Sequence, residues 1–248
     1  MEKKKFFTPL TRPSAGRDKT LNAGVTIGTR LERESFLRKT TMDPQARAHI
    51  LVWSDYVCPY CYFVERELDR IREQHSGKVI IEYYPFELRP EPVPTLEPRG
   101  EYLLTTWSRS VYPMGKHYGM PIRLPSVQPR SSLAFQMSEY ARTLDSHHKA
   151  HMALFHAFFV EDRNIGDLSV LLEIGGNLGL DAAELEHHLT AGTYKAEVDQ
   201  QRQKGLARQV TGVPALFLEP VKPGAFPASG AVGGNTDWLE RRLTQVVQ

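Results

Sequence analysis

Only two cysteines occur in the 248 residues, Cys58 and Cys61, three positions apart. A framework of structural disulfides is thereby excluded, and a bridge closing so short a loop would constrain little of the unfolded chain. No run of about 18 apolar residues exists, the length a membrane-spanning helix needs, so no membrane partner is expected. The basic start Lys3-Lys4-Lys5 is not followed by an apolar stretch of about 7–15 residues, so a secretory signal peptide is not expected either. Excess charge is missing too. The formal net charge is +2, too little to point to a nucleic-acid partner. Internal repeats and low-complexity tracts are absent. The expected compartment is therefore a reducing one, the cytoplasm, where a close thiol pair is catalytic or metal-binding.

What is present is ordinary globular material, 41% hydrophobic and 24% charged, enough for a sizeable core. Charge is unevenly spread. Residues 1–41 hold ten Lys/Arg against four Asp/Glu, and residues 1–47 show no sustained period. They read as a disordered or loosely attached extension, with a short helix over 29–40. This extension is either a tail without function, with Met42 as an alternative start, or a basic tethering arm.

From His49 the pattern sharpens. Ile50-Leu51-Val52-Trp53 is a short apolar run of buried-strand type. A helix follows from Cys58-Pro59-Tyr60-Cys61 to about His75, with Pro59 suited to the first helical position. Cys61, Val64, Leu68 and Ile71 line one face of it. Residues 78–88 form a second strand, completing a βαβ unit with parallel strands. Helices are expected over residues 107–120, 131–144 and 150–160. Another is capped by Asp167 and ended by Gly175-Gly176, another capped by Asp181, and another covers 195–209. A strand at Ala215–Leu218, a hairpin partner near 228–232 and a final helix behind Asn235 or Thr236 close the chain. The expected class is α/β. Residues 48–94 and 210–248 form one domain, and 95–209 form an inserted helical subdomain between its βαβ and ββα halves.

The chemistry centres on the cysteines. Disulfide exchange needs one thiolate to attack and a second thiol within reach to resolve the mixed disulfide. Cys58 at the helix start meets unpaired N–H groups that favour its anion. Cys61, one turn further in on the apolar stripe, is expected to be buried and less acidic. Cys58 therefore attacks and Cys61 resolves. Two other readings stay open at this point. A CxxC pair can be half of a zinc site if histidines such as His147, His148 and His151 complete it, or the pair can be inert. Asp55, three residues before Cys58, is a candidate proton relay or else a solvated loop carboxylate. Glu87 and Arg89 read as surface or loop residues, with substrate binding as the other option. Phe155, Phe158 and Phe159 read as core rather than as a cofactor site. Thr211-Gly212-Val213-Pro214 stands directly before a strand, where a proline marks a special turn.

Ser54-Asp55-Tyr56-Val57-Cys58-Pro59-Tyr60-Cys61-Tyr62, the segment Pro85–Pro90 and Gly212-Val213-Pro214, in that order, resemble the DsbA-like thioredoxin-domain family. Within it they most resemble the FrnE branch, akin to 2-hydroxychromene-2-carboxylate isomerases. The resemblance covers residues 47–248 and implies a thioredoxin-like fold with redox chemistry at Cys58 and Cys61. It also implies a cis Pro214 facing the sulfurs and substrate contacts from Pro59, Tyr60 and Val213, the last through its backbone. Implied partners are protein or low-molecular-weight thiols and disulfides, with no metal and no bound cofactor. The middle pair Pro59-Tyr60 departs from the Pro-Trp of this branch and resembles glutaredoxins, which brings in glutathione as a co-substrate. Related isomerases usually carry Ser in place of the first Cys, so both cysteines argue against isomerase activity. The functional expectation is thiol–disulfide exchange. The alternatives are a glutathione-dependent transferase or isomerase, and a non-enzymatic thioredoxin-fold binding or zinc protein.

Overall fold

The computed structural model describes residues 45–225 and 228–247. Most of the expected N-terminal extension, its helix over 29–40 included, lies outside the described residues. Arg47 is already tied in, since its N–H donates to Lys78 O (2.8 Å) and its carbonyl accepts from Val221 N.

Strand β1 (Ala48–Ser54), helix α1 (Pro59–Gln74) and strand β2 (Val79–Pro85) form the expected βαβ unit, with β1 and β2 parallel and in register from Ala48↔Val79 to Ser54↔Pro85. After the helical stretch, β3 (Ala215–Pro220) pairs antiparallel with β1, and β4 (Ser229–Val232) pairs antiparallel with β3. The sheet order is β2-β1-β3-β4. Val52 faces Leu216 across the β1–β3 pair, so the two halves of the domain share one sheet.

Between β2 and β3 run α2 (Glu101–Thr106), a π-helical turn (Trp107–Val111), α3 (Tyr112–Tyr118), α4 (Ser132–Thr143), α5 (His147–Phe159), α6 (Leu168–Asn177), α7 (Ala182–Ala191) and α8 (Lys195–Ala207), with α9 (Asp237–Val246) closing the chain. Asp167 and Asp181 cap α6 and α7 by accepting from Ser169 N and Glu184 N, which supplies donors that a helix start leaves unpaired. Before α9, it is Asn235 whose side chain accepts from Asp237 N, while Thr236 makes no side-chain cap bond.

Gly175-Gly176 does not end α6, which runs on to Asn177. The reason is packing. A Cβ on Gly175 would lie 2.3 Å from Leu185 Cδ2, so glycine there lets α6 and α7 touch rather than stopping the helix.

Alternation along β1 sends its side chains to two cores. Ile50 and Val52 pack with Val64, Leu68 and Ile71 of α1 and with Leu239 and Leu243 of α9. Leu51 and Trp53 face the other way, with Phe86, Val210 and Ala215. That second face is roofed by α8. Trp53 Nε1 donates to Gln201 O (3.2 Å), and the Arg202 guanidinium stands over the Phe86 ring at 5.0 Å. A Cβ on Gly205 would lie 2.7 Å from Trp53 Nε1. Gly205→Ala is therefore expected to destabilise the chain by about 1–3 kcal/mol through overpacking, against the gain an exposed helical Gly→Ala gives. The midpoint of urea unfolding measures it.

Candidate active site around the cysteine pair

The C-terminal end of β1 runs into the turn Asp55–Val57 and then into α1. Cys58 is the N-cap residue of α1, in extended backbone geometry, and Pro59 is its first helical residue. Cys58 N donates to Asp55 O at 3.1 Å, while Cys58 O accepts from Cys61 N at 3.1 Å. Both cysteines are free thiols. Cys58 is 5% and Cys61 1% exposed, so the inner sulfur is the more deeply covered one. Burial pushes the Cys61 thiol well up, and the hydrogen bond and charge of Cys58 add to this. The neighbouring Asp55 backbone and Ser54 side chain work the other way. Cys58 and Cys61 thus stand one turn apart at the start of one helix, the spacing a resolving pair requires.

The turn before β3 reaches the same point. The Val213–Pro214 bond is cis, and the Cys58 thiol donates to Val213 O at 3.5 Å. Pro214 O accepts from Gly233 N at 2.7 Å, which fixes the start of β3 to the end of β4. The Val213 carbonyl is occupied by the Cys58 thiol.

Pro59 is buried and Tyr60 half-buried. The Tyr60 hydroxyl donates to Ser110 Oγ at 2.9 Å, and Ser110 belongs to the π-helical turn. Such turns widen a helix by one residue and are frequent at functional sites. A Cβ on Gly234 would lie 3.8 Å from Tyr60 Cβ, so Tyr60 sits between the inserted helices and the loop after β4. Ser110 escaped the sequence reading because an α-helical and a π-helical turn carry the same apolar pattern.

Asp55 is fully buried, which removes the solvated-carboxylate reading. Its side chain accepts from Leu88 N at 2.7 Å and Val57 N at 3.3 Å. Burial pushes its carboxyl up, opposed by the Ser131 hydroxyl and the backbone N–H groups of Leu88, Val57 and Tyr56. Glu87, expected at the surface, is buried as well. Burial first, then the charge of Asp55, push Glu87 up to about 7. The two carboxyls line a cleft of about 50 Å³ together with Gln128 and Ser131. Parallel pairing of β1 and β2 ends at Ser54↔Pro85. Residues just beyond those ends, Asp55 and Glu87, therefore lie at the same end of the sheet. Arg89 also lines the cleft, and its guanidinium donates to Pro94 O.

The histidines face elsewhere. His151 Nδ1 contacts the Tyr56 hydroxyl at 3.2 Å and His151 Nε2 lies 3.1 Å from Glu65 Oε1. His147 Nε2 meets the Arg142 guanidinium. Among the described residues, no group of three or more His, Cys, Asp or Glu is gathered as a metal cage. Phe155, Phe158 and Phe159 are fully buried in the helical core.

Residues 49–237 match the family described as the DSBA-like thioredoxin domain. An uncharacterised protein of Bacillus subtilis (strain 168), YwbO, is 36% identical over 187 residues, covering 71% of this chain and 90% of the relative. Among solved structures, a 2-hydroxychromene-2-carboxylate isomerase superposes with a TM-score of 0.64 at 17% identity, over 79% of this chain and 94% of the isomerase. The cytosolic disulfide reductase DsbM from Pseudomonas aeruginosa superposes with a TM-score of 0.60 at 19% identity, over 79% of this chain and 99% of that one. DsbM has also been solved with GSH. At these identities the structural likenesses show the fold, which is thioredoxin-like with a helical insertion.

Proposed function

The chain belongs to the DSBA-like thioredoxin domain family, and on that footing we propose that it is a thiol–disulfide oxidoreductase exchanging the Cys58/Cys61 pair with protein or small-molecule disulfides. One observation carries this reading. Cys58 stands at a helix start with its sulfur on Val213 O, one helical turn from the more deeply buried Cys61.

The Cys58 thiolate attacks a disulfide R–S–S–R′, forming Cys58–S–S–R and releasing R′–S⁻. The Cys61 thiol gives up its proton and attacks the Cys58 sulfur, which releases R–S⁻ and leaves a Cys58–Cys61 disulfide. The substrate is thereby reduced by two electrons and the protein oxidised by two. Once Cys58 is in a disulfide it has no proton to donate, so Val213 O is free to accept from a substrate N–H. Pro59 and Tyr60 border the attacking sulfur, and Tyr60, held by Ser110, limits how bulky a substrate can approach. Asp55, whose carboxylate holds the turn leading into α1, is the candidate relay for the proton of Cys61.

Glutathione is the proposed small thiol that returns the pair to its reduced form, by two successive exchanges that yield glutathione disulfide. The support is the Pro59-Tyr60 pair and the GSH-bound structure of DsbM. We place the protein in the reducing cytoplasm. No helix among the described residues is long and apolar enough to cross a membrane.

Insulin reduction with and without glutathione tests the proposal. Turnover is expected with glutathione as the only reductant, and one stoichiometric round without it. Absence of any insulin reduction, by the pre-reduced chain or with glutathione, rejects the oxidoreductase reading. Turnover only with a protein dithiol supplied rejects the glutathione part alone.

A further inference from the structure

The end of the sheet opposite the cysteines holds a pocket that disulfide exchange leaves without a role. Its volume is about 310 Å³, in the range of small-molecule sites. Ala46 and Arg47, just before β1, and Lys222, just after β3, bring the two strand ends to it. The last turn of α9 closes it with Arg242, Gln245 and Val246. The cationic side chains of Arg47, Lys222 and Arg242 thus line one pocket, and no carboxylate does.

Like charges gathered in this way repel one another unless something negative lies between them. The acids of the adjoining elements do not serve. Glu219 of β3 pairs with Arg208, and Glu240 of α9 pairs with Arg70. Among the described residues, Arg47, Lys222 and Arg242 enter no ion pair. Nor is the pocket a sample of a uniformly basic surface, because outside residues 1–41 acidic side chains outnumber basic ones. The cations are placed by the fold. Arg47 is held through its backbone on both sides, to Lys78 and to Val221. Arg242 Nη1 donates to Gln245 Oε1 at 3.0 Å, which steadies the guanidinium and takes up the amide oxygen. The negative end of the α9 dipole, which would oppose an anion, is met by Lys78, whose Nζ donates to Val247 O at 3.0 Å. Ala46 is buried and, with Val246, gives the pocket an apolar wall.

We propose that this pocket binds a small organic phosphate, with the phosphoryl group held among Arg47, Lys222 and Arg242 and the body of the ligand against Ala46 and Val246. A guanidinium matches two phosphate oxygens at once, and a lysine adds a point charge. The pocket has room for more than a bare ion, and its apolar wall gives the rest of the ligand a surface to cover. Strand β1, Ala48–Ser54, separates it from the cysteine turn, a distance of roughly 20 Å. The ligand therefore does not touch the sulfurs, and the site stands independently of the redox reading.

Isothermal titration calorimetry of the full chain at low salt, with AMP, glucose 6-phosphate, inorganic phosphate and citrate, tests this. At least one of the two esters is expected to saturate a single site with a Kd below about 1 mM. Arg47→Gln and Arg242→Gln should each weaken it by about tenfold or more, and Lys222→Gln by several-fold. Lys149→Gln, at an exposed position of α5, should leave it unchanged. Absence of saturable binding of both esters up to about 5 mM, or an equal loss in Lys149→Gln, overturns the proposal. Citrate binding as tightly as the better ester overturns the assignment to phosphate, and inorganic phosphate binding as tightly overturns the role of the apolar wall. The titrations involve neither cysteine, so a failed insulin assay leaves their result standing.

Discussion

Cys58→Ser should abolish disulfide exchange, lowering insulin reduction by about a thousandfold or more, because no other sulfur can make the first attack. Cys61→Ser should behave differently. The first attack survives, but nothing displaces the substrate, so a mixed disulfide on Cys58 accumulates and is visible by mass spectrometry of the non-reduced chain. The asymmetry comes from the fold. Cys58 is the N-cap residue of α1 with its sulfur on the Val213 carbonyl, while Cys61 lies one turn inside with burial pushing its thiol up. Accumulation of the mixed disulfide on Cys61 in the Cys58→Ser chain, with none in the Cys61→Ser chain, would reverse the roles.

The second large effect is on stability. Glu65 of α1 is 1% exposed and His151 of α5 2%. Glu65 accepts from the Tyr83 hydroxyl at 2.7 Å and stands 3.1 Å from His151 Nε2, while the Tyr56 hydroxyl contacts the other ring nitrogen and donates to Ser138. Glu65→Ala leaves His151 and Tyr83 buried without their partner and opens a void, so unfolding free energy should fall by about 3–5 kcal/mol. Urea unfolding followed by circular dichroism reads it. Glu65→Gln, which still accepts from Tyr83, should lose clearly less. Equal losses from Ala and Gln would mean that space-filling at this position, and not the carboxylate's contacts, is what matters.

The parts of the fold that one element's periodicity determines were legible in the sequence. Ile50–Trp53 showed a buried strand, the Cys61-Val64-Leu68-Ile71 stripe showed α1 and its buried face, and Asp167 and Asp181 showed two helix starts, all as found. Gly175-Gly176 misled, because a glycine that opens room for Leu185 and a glycine that stops a helix look the same until the partner helix is placed. Of the site, the cysteine pair and the Val213-Pro214 turn are local motifs and stood out. Glu87 did not. Its burial depends on α4 and on Asp55, separated from it in sequence and joined only by tertiary packing. Ser110 was hidden for the same reason, since its meeting with Tyr60 spans the motif and the inserted helices.

The roof that α8 makes over Leu51, Trp53 and Phe86 limits how this architecture can be remodelled. Residues 95–209 interrupt the domain in sequence, yet among the described residues it is their last helix that covers that side of the sheet. Trimming them to a short linker would not yield a smaller protein with the same active site. It would leave a hydrophobic face bare to water, the kind of surface that drives self-association. Engineering for altered substrates therefore belongs at exposed positions of the insertion near Tyr60 and Ser110, while α8 has to be retained as a structural half of the domain.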